Sequence, residues 1–189
     1  MILEDLKVQT RLQHTNLEQL NGLPNNRADY VAQLERFYGF VKPWERRLAE
    51  CLPADDLLRD GREKTGWLEA DLSHFERDAE QRAALPTCED LPETGSRAAI
   101  LGACYVLEGS TLGGQFIARH LQEKLGVVAG EGDRYFRSYG PEVGMRWQAF
   151  RGELMRHSSP ENDAAIIAGA RQTFEKLGAW FAKKPEVSA

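Results

Sequence analysis

Lys7, Arg11, His14 and Glu18 recur at i, i+4, i+7 and i+11 in this 189-residue chain. That spacing lays them along one side of a helix. At 100° per residue the stripe borders the Leu3, Leu6, Thr10 and Leu17 face, so it lies beside a core. Each residue type has a task in a metal site. A neutral imidazole nitrogen of His14 can ligate a metal ion. The Glu18 carboxylate, one turn on, can accept a hydrogen bond from the other ring nitrogen and fix the tautomer and ring angle. The Lys7 ammonium, two turns back or about 10 Å along the axis, can neutralise a carboxylate that would otherwise be half buried. The plain alternative is a solvated flank with a charge ladder, and helix patterning by itself favours it.

The second unusual stretch is Tyr105-Val106-Leu107-Glu108-Gly109-Ser110-Thr111-Leu112-Gly113-Gly114-Gln115. Three glycines fall within six positions of an otherwise helical segment. Each costs about 1 kcal/mol against alanine in a helix interior. Gly109 and Gly113 share a face, and a bare backbone there admits another helix or a flat ligand.

The elements that must position these residues read as helices. Ile2 to Leu20 is one helical segment, stopped by Asn21-Gly22-Leu23-Pro24. Ala28 to Val41 is a second, which Pro43 breaks or kinks before a short helix from Trp44 to Leu52. Asp55 to Leu58 suggests a helical turn, and Lys64 to Phe75 another helix. Ala84 to Gly95, with Pro86 and Pro92, reads as a loop. Ser96 is a suitable N-cap for the glycine-containing helix. Pro141 to His157 and Pro160 to Lys184 each begin a helix near a proline. No alternating strand pattern occurs. The expected fold is all-α, one domain over 1–189, with seven or eight helices.

Composition narrows the function classes. A net charge of −5 disfavours a general nucleic-acid binder, and no apolar run spans a bilayer. The start Met1-Ile2-Leu3-Glu4-Asp5 lacks the pattern of an export signal. Cys51, Cys88 and Cys104 form no CxxC pair, and their odd number argues against a disulfide framework. A reduced, cytoplasmic protein is the expectation. Asp71 and His74, with Glu153 and His157, resemble an incomplete di-iron set, because the second pair is four apart instead of three. Cys104, Trp67, Arg146, Trp147, Phe150 and Trp180 read as packing residues. His120 reads as a surface or hinge-end residue.

Taken together, the motifs resemble the bacterial haem oxygenase family, of the biliverdin-forming type associated with bacteriophytochromes. Leu6-Lys7-x-x-Thr10-x-x-x-His14-x-x-Leu17-Glu18 resembles its proximal helix, and Tyr105 to Gln115 its distal helix. Arg134-Tyr135-Phe136-Arg137-Ser138-Tyr139-Gly140 and the run from Ala170-Arg171-Gln172-Thr173-Phe174 to Trp180-Phe181 resemble further segments. Their order and separation outweigh the plain reading of the His14 stripe.

The resemblance implies an all-α sandwich with haem, both substrate and cofactor, between a proximal and a kinked distal helix. Dioxygen and external electrons would open the macrocycle to biliverdin, carbon monoxide and ferrous iron. His14 would be the axial iron ligand and Glu18 its hydrogen-bond partner. Gly109, Ser110, Gly113 and Gly114 would form the distal face. Lys7 and Arg137 would meet the propionates, and Phe174 and Phe181 would line the pocket. Ser110 stands where many family members carry an aspartate, which leaves open how protons are delivered. Implied partners are an electron donor such as a ferredoxin or flavin reductase, and a bacteriophytochrome as biliverdin acceptor. Two alternatives stand beside this. One is a non-catalytic haem carrier or sensor on the same fold. The other is a cofactor-free helical enzyme of the thiamine-salvage sort, for which no cysteine-and-acid pocket is legible.

Overall fold

The computed structural model describes residues 1–183, and among these every regular element is helical. The helices are α1 (Ile2–Gln9), α2 (Arg11–Asn21), α3 (Arg27–Cys51), α4 (Thr65–His74), α5 (Ala79–Ala83), α6 (Arg97–Leu125), α7 (Arg134–Arg137), α8 (Val143–His157) and α9 (Pro160–Ala182). A 3-10 turn at Gly140–Glu142 leads into α8.

The first segment, expected as one helix, divides at Thr10. Its φ of −109° and ψ of 2° leave the helical region, although Thr10 N still donates to Leu6 O and His14 N to Thr10 O, both at 2.9 Å. The Thr10 hydroxyl also donates to Leu6 O, at 2.7 Å. A buried hydroxyl competing for the same carbonyl is a known cause of a helix bend. The His14 turn is thereby re-aimed relative to α1.

Pro43, expected to break or kink its helix, lies inside a continuous α3. The carbonyl deprived of its N–H partner is that of Gly39, four residues earlier. It accepts the Cys88 N–H at 2.7 Å instead. The loop expected at Ala84 to Gly95 supplies the missing donor, and α3 runs unbroken. Asp55 to Leu58 is a hydrogen-bonded turn and no helix. The short α5, not anticipated, is started by a capping box between Asp78 and Gln81.

Helix α6 begins as expected at Ser96, whose hydroxyl accepts Ala99 N at 3.1 Å. It continues as helix for 29 residues, through the whole glycine stretch. Its first half lies backbone to backbone on α9. A Cβ on Gly102 would collide with the Ile166 carbonyl, and one on Gly169 with the Ala99 carbonyl. Leu101, Leu121, Phe150, Leu154, Ile166 and Ala170 are sealed in the core around this contact. Helix α9 is the floor of the molecule, since α1, α2, α3 and α6 all rest on it. Among the described residues, no helix is long and apolar enough to cross a membrane.

Candidate haem site

Helices α2 and α6 lie on α9 as two walls with little contact between them. At one end His120 on α6 meets the Pro24 carbonyl, 3.0 Å away, in the loop that follows α2. His120, expected as a surface or hinge-end residue, thus ties α6 to the loop after α2. Toward the other end, α1 brings the Glu4 carboxylate near Tyr105 of α6, where burial first and that charge second push the phenol pKa up.

On the α2 wall, the His14 side chain is 58% exposed and its Nδ1 lies 3.4 Å from a Glu18 carboxylate oxygen. The ring also packs edge-on to Phe174 of α9, with centroids 5.7 Å apart. Phe174 is buried and fixes the base of the imidazole. Among the described residues Nε2 has no hydrogen-bond partner. One nitrogen is thus turned toward a carboxylate and the other remains for a metal, the arrangement an axial ligand needs. Lys7 is exposed, one helix earlier.

On the α6 wall, Tyr105, Gly109, Leu112, Gly113 and Phe116 share one face by helical spacing. Phe116 is 65% exposed and Leu112 45%. A Cβ added at Gly113 would meet nothing within 4 Å, and one at Gly109 would only touch the Trp147 ring at 3.8 Å. Ser110 is exposed, and its hydroxyl donates back to Leu107 O at 2.8 Å. An apolar face with no side chain at two positions suits a flat macrocycle.

Two expectations need correction. Gly114 does not belong to the open face. It is buried, and a Cβ there would strike the Phe136 carbonyl, so its role is to let α7 dock. Phe181 packs on Phe37 and lines an open cavity of about 280 Å³ with Leu20, Leu23, Gln33 and Arg36. The lining of that cavity includes neither His14 nor the distal glycines. The Arg137 Nε donates to Asp133 at 2.6 Å, which leaves its two terminal nitrogens for an anion. The di-iron set also dissolves. Asp71 caps α7 by accepting Arg134 N and Tyr135 N, and Glu153 pairs with Arg97 and Arg156. No group of three metal-ligating side chains occurs among the described residues.

The heme oxygenase family model matches residues 1–183. The chain belongs to the heme oxygenase family. Its members degrade haem to biliverdin, with haem as both substrate and prosthetic group. A crystal structure of the NO- and CO-bound heme oxygenase from Neisseria meningitidis is similar in fold, with a TM-score of 0.73 at 23% identity. The match covers 99% of this chain and 95% of that one. No curated protein matches this chain.

Sequence reasoning missed one feature of this haem oxygenase. Arg62, Lys64 and Glu108 are each buried at under 10% exposure against α6. Arg62 pairs with one Glu108 oxygen, and the Lys64 ammonium with the other at 2.6 Å. The Tyr139 hydroxyl lies 3.0 Å from Glu108 Oε1. The partners sit 31 to 46 positions from Glu108 in sequence. No local spacing announces them.

Proposed function

We propose that haem binds between α2 and α6, with His14 Nε2 as axial ligand and Glu18 holding Nδ1. The bare face at Gly109 and Gly113, with Ser110 at its edge, lies against the opposite side of the ring. Lys7 and the terminal nitrogens of Arg137 are the candidate partners of the propionates. Phe174 fixes the His14 ring from below. When bound, the haem supplies iron to activate dioxygen and the carbon skeleton that is cut. The chain supplies the imidazole, the steric restriction of the glycine face, and exclusion of water by Leu112 and Phe116.

The observation that carries this reading is the half-exposed His14, with one nitrogen facing Glu18 and the other unpartnered. The contact is loose, so the imidazole gains little anionic character. A weakly donating axial ligand suits ring oxidation better than a thiolate would. The reading calls for an external electron donor, such as a ferredoxin or flavin reductase, and for one of two uses of the products: supply of biliverdin to a bacteriophytochrome, or recovery of the iron. The carrier or sensor alternative is not favoured, because the family is one of enzymes.

Hemin titration with turnover is the test. Wild type is expected to form a one-to-one complex with a sharp Soret band. With a reductase or ascorbate it yields a green product and carbon monoxide. His14→Ala is expected to lose that band and the product. Full turnover by His14→Ala would refute the assignment. Reduction without ring opening in wild type would favour the carrier.

A further inference from the structure

The open face of α6 differs at its two glycines. A Cβ built on Gly109 would stand 3.8 and 3.9 Å from Cη2 and Cζ3 of Trp147, whereas one on Gly113 would meet nothing within 4 Å. The two positions are one turn apart, about 6 Å along the helix. One end of the face is therefore walled by an aromatic edge from α8, and the other is open.

Trp147 is firmly held for a half-buried side chain. Its indole stacks on Phe150, with centroids 5.5 Å apart and planes at 23°, and Phe150 is sealed in the core. The Tyr105 ring, on the same α6 face as Gly109, lies 5.9 Å away at 46°. The backbone beneath is fixed as well. Arg62 pairs with Glu108 of α6 and donates to the carbonyl of Arg146 at 3.2 Å. That bridge joins α6 to α8 one residue from Gly109 on one helix and one residue from Trp147 on the other. The Arg146 side chain is itself engaged with Glu142, at 3.6 Å. Among the described residues no hydrogen bond holds the indole N–H, so packing sets the ring and its replacement strands no polar partner. Trp147 remains partly exposed, so the wall has surface left to meet a ligand.

We propose that Trp147 is a specificity-determining residue of the haem site. Its indole closes the Gly109 end of the distal face, so a ligand opposite His14 is directed toward Gly113 and the macrocycle is cut on that side. The proposal rests on the haem-binding reading above. A close-packed aromatic edge yields little, and a group even one methylene too large for its place loses binding.

The probe is the ferrous haem complex titrated with carbon monoxide and with tert-butyl isocyanide, read by absorbance. Both ligands are neutral and they differ in bulk. Trp147→Ala is expected to raise isocyanide affinity relative to carbon monoxide by about tenfold, the scale of one relieved methylene-sized clash. Trp147→Phe keeps a smaller ring and is expected to fall between. The isomers of the biliverdin formed are the second readout, and Trp147→Ala is expected to shift their distribution away from that of wild type. A role confined to packing would cost apoprotein stability and leave both readouts alone. An unchanged affinity ratio, or an unchanged isomer distribution, overturns the proposal while haem binding stands. Should Trp147→Ala not fold, Trp147→Leu takes its place with the same expectations, and wild-type behaviour there has the same force. A wild-type protein that forms no His14-dependent haem complex removes both readings at once.

Discussion

Gly113 and Gly114 are adjacent and chemically identical, yet they face different surroundings. A Cβ at Gly113 points into open space, whereas one at Gly114 points into the Phe136 carbonyl. Gly113→Ala therefore removes a helix-interior glycine without steric penalty and is expected to raise stability by about 1 kcal/mol. Gly114→Ala must push α7 away and is expected to cost about 1–3 kcal/mol. Urea unfolding of the two apoproteins checks the opposite signs, and equal shifts would refute the assignment of faces. Function reverses the order at Gly113. If the open space belongs to the ring and its distal ligand, a side chain there obstructs them. Gly113→Leu is expected to keep the His14-dependent Soret band but form no biliverdin. Turnover at the wild-type rate would show that the face points elsewhere.

At the scale of elements, the four-residue α7 owes its placement to groups on other helices. Asp71, fully buried on α4, accepts Arg134 N at 2.9 Å and Tyr135 N at 2.8 Å. Burial pushes its carboxyl up to about 6, the two N–H bonds oppose this, and nearby Asp133 adds to the rise. The unfolded chain titrates this group near pH ~3.9. The native state thus binds the proton more tightly. The stabilisation is fully present below the unfolded value and is lost as pH rises through the folded one. Between pH 7 and pH 5 wild type is expected to gain about 1 kcal/mol relative to Asp71→Asn. Urea midpoints of both proteins at the two pH values measure this, and a constant difference would contradict it. Such an element explains what sequence reading can and cannot reach. Long helices were legible from apolar periodicity, and the Ser96 cap from its residue type. The continuity of α3 through Pro43 was not, because the replacement donor comes from Cys88, forty-five positions beyond the proline. The His14–Glu18 contact and the side-chain-free face at Gly109 and Gly113 were legible because each motif is local to one helix. Glu108 was not, since a glutamate in a helix ordinarily faces water and its partners are distant in sequence. Gly114 was misassigned because spacing fixes a face but does not say what covers it.

Over the whole molecule, stability is distributed unevenly, and the proposed ligand-binding wall falls at the weak end. Helix α6 buries twelve residues and meets α9 backbone to backbone, whereas α2 has no residue in the buried class along its eleven positions. Its attachments are the Phe174 and Gly178 side of α9, the contact of Gln33 with the Asn21 and Gly22 carbonyls, and the bent junction at Thr10. Elements with few buried contacts open at low free-energy cost. A ligand held by His14 adds its binding energy to the closed form alone, by an amount that grows as RT ln(1 + [L]/Kd). Amides of Arg11–Asn21 are therefore expected to exchange hydrogen far faster than those of α9 in the apoprotein. Saturating hemin is expected to slow them by a factor of about 100, if the ligand is present at some hundredfold over its dissociation constant. The α6–α9 seam, already closed, changes little. Peptide-resolved exchange mass spectrometry reads both regions in one experiment. Protection of α2 equal to that of α9 before hemin is added would mean that the wall is preformed. The bent junction at Thr10 would then set the geometry of the site, with no part left for the ligand.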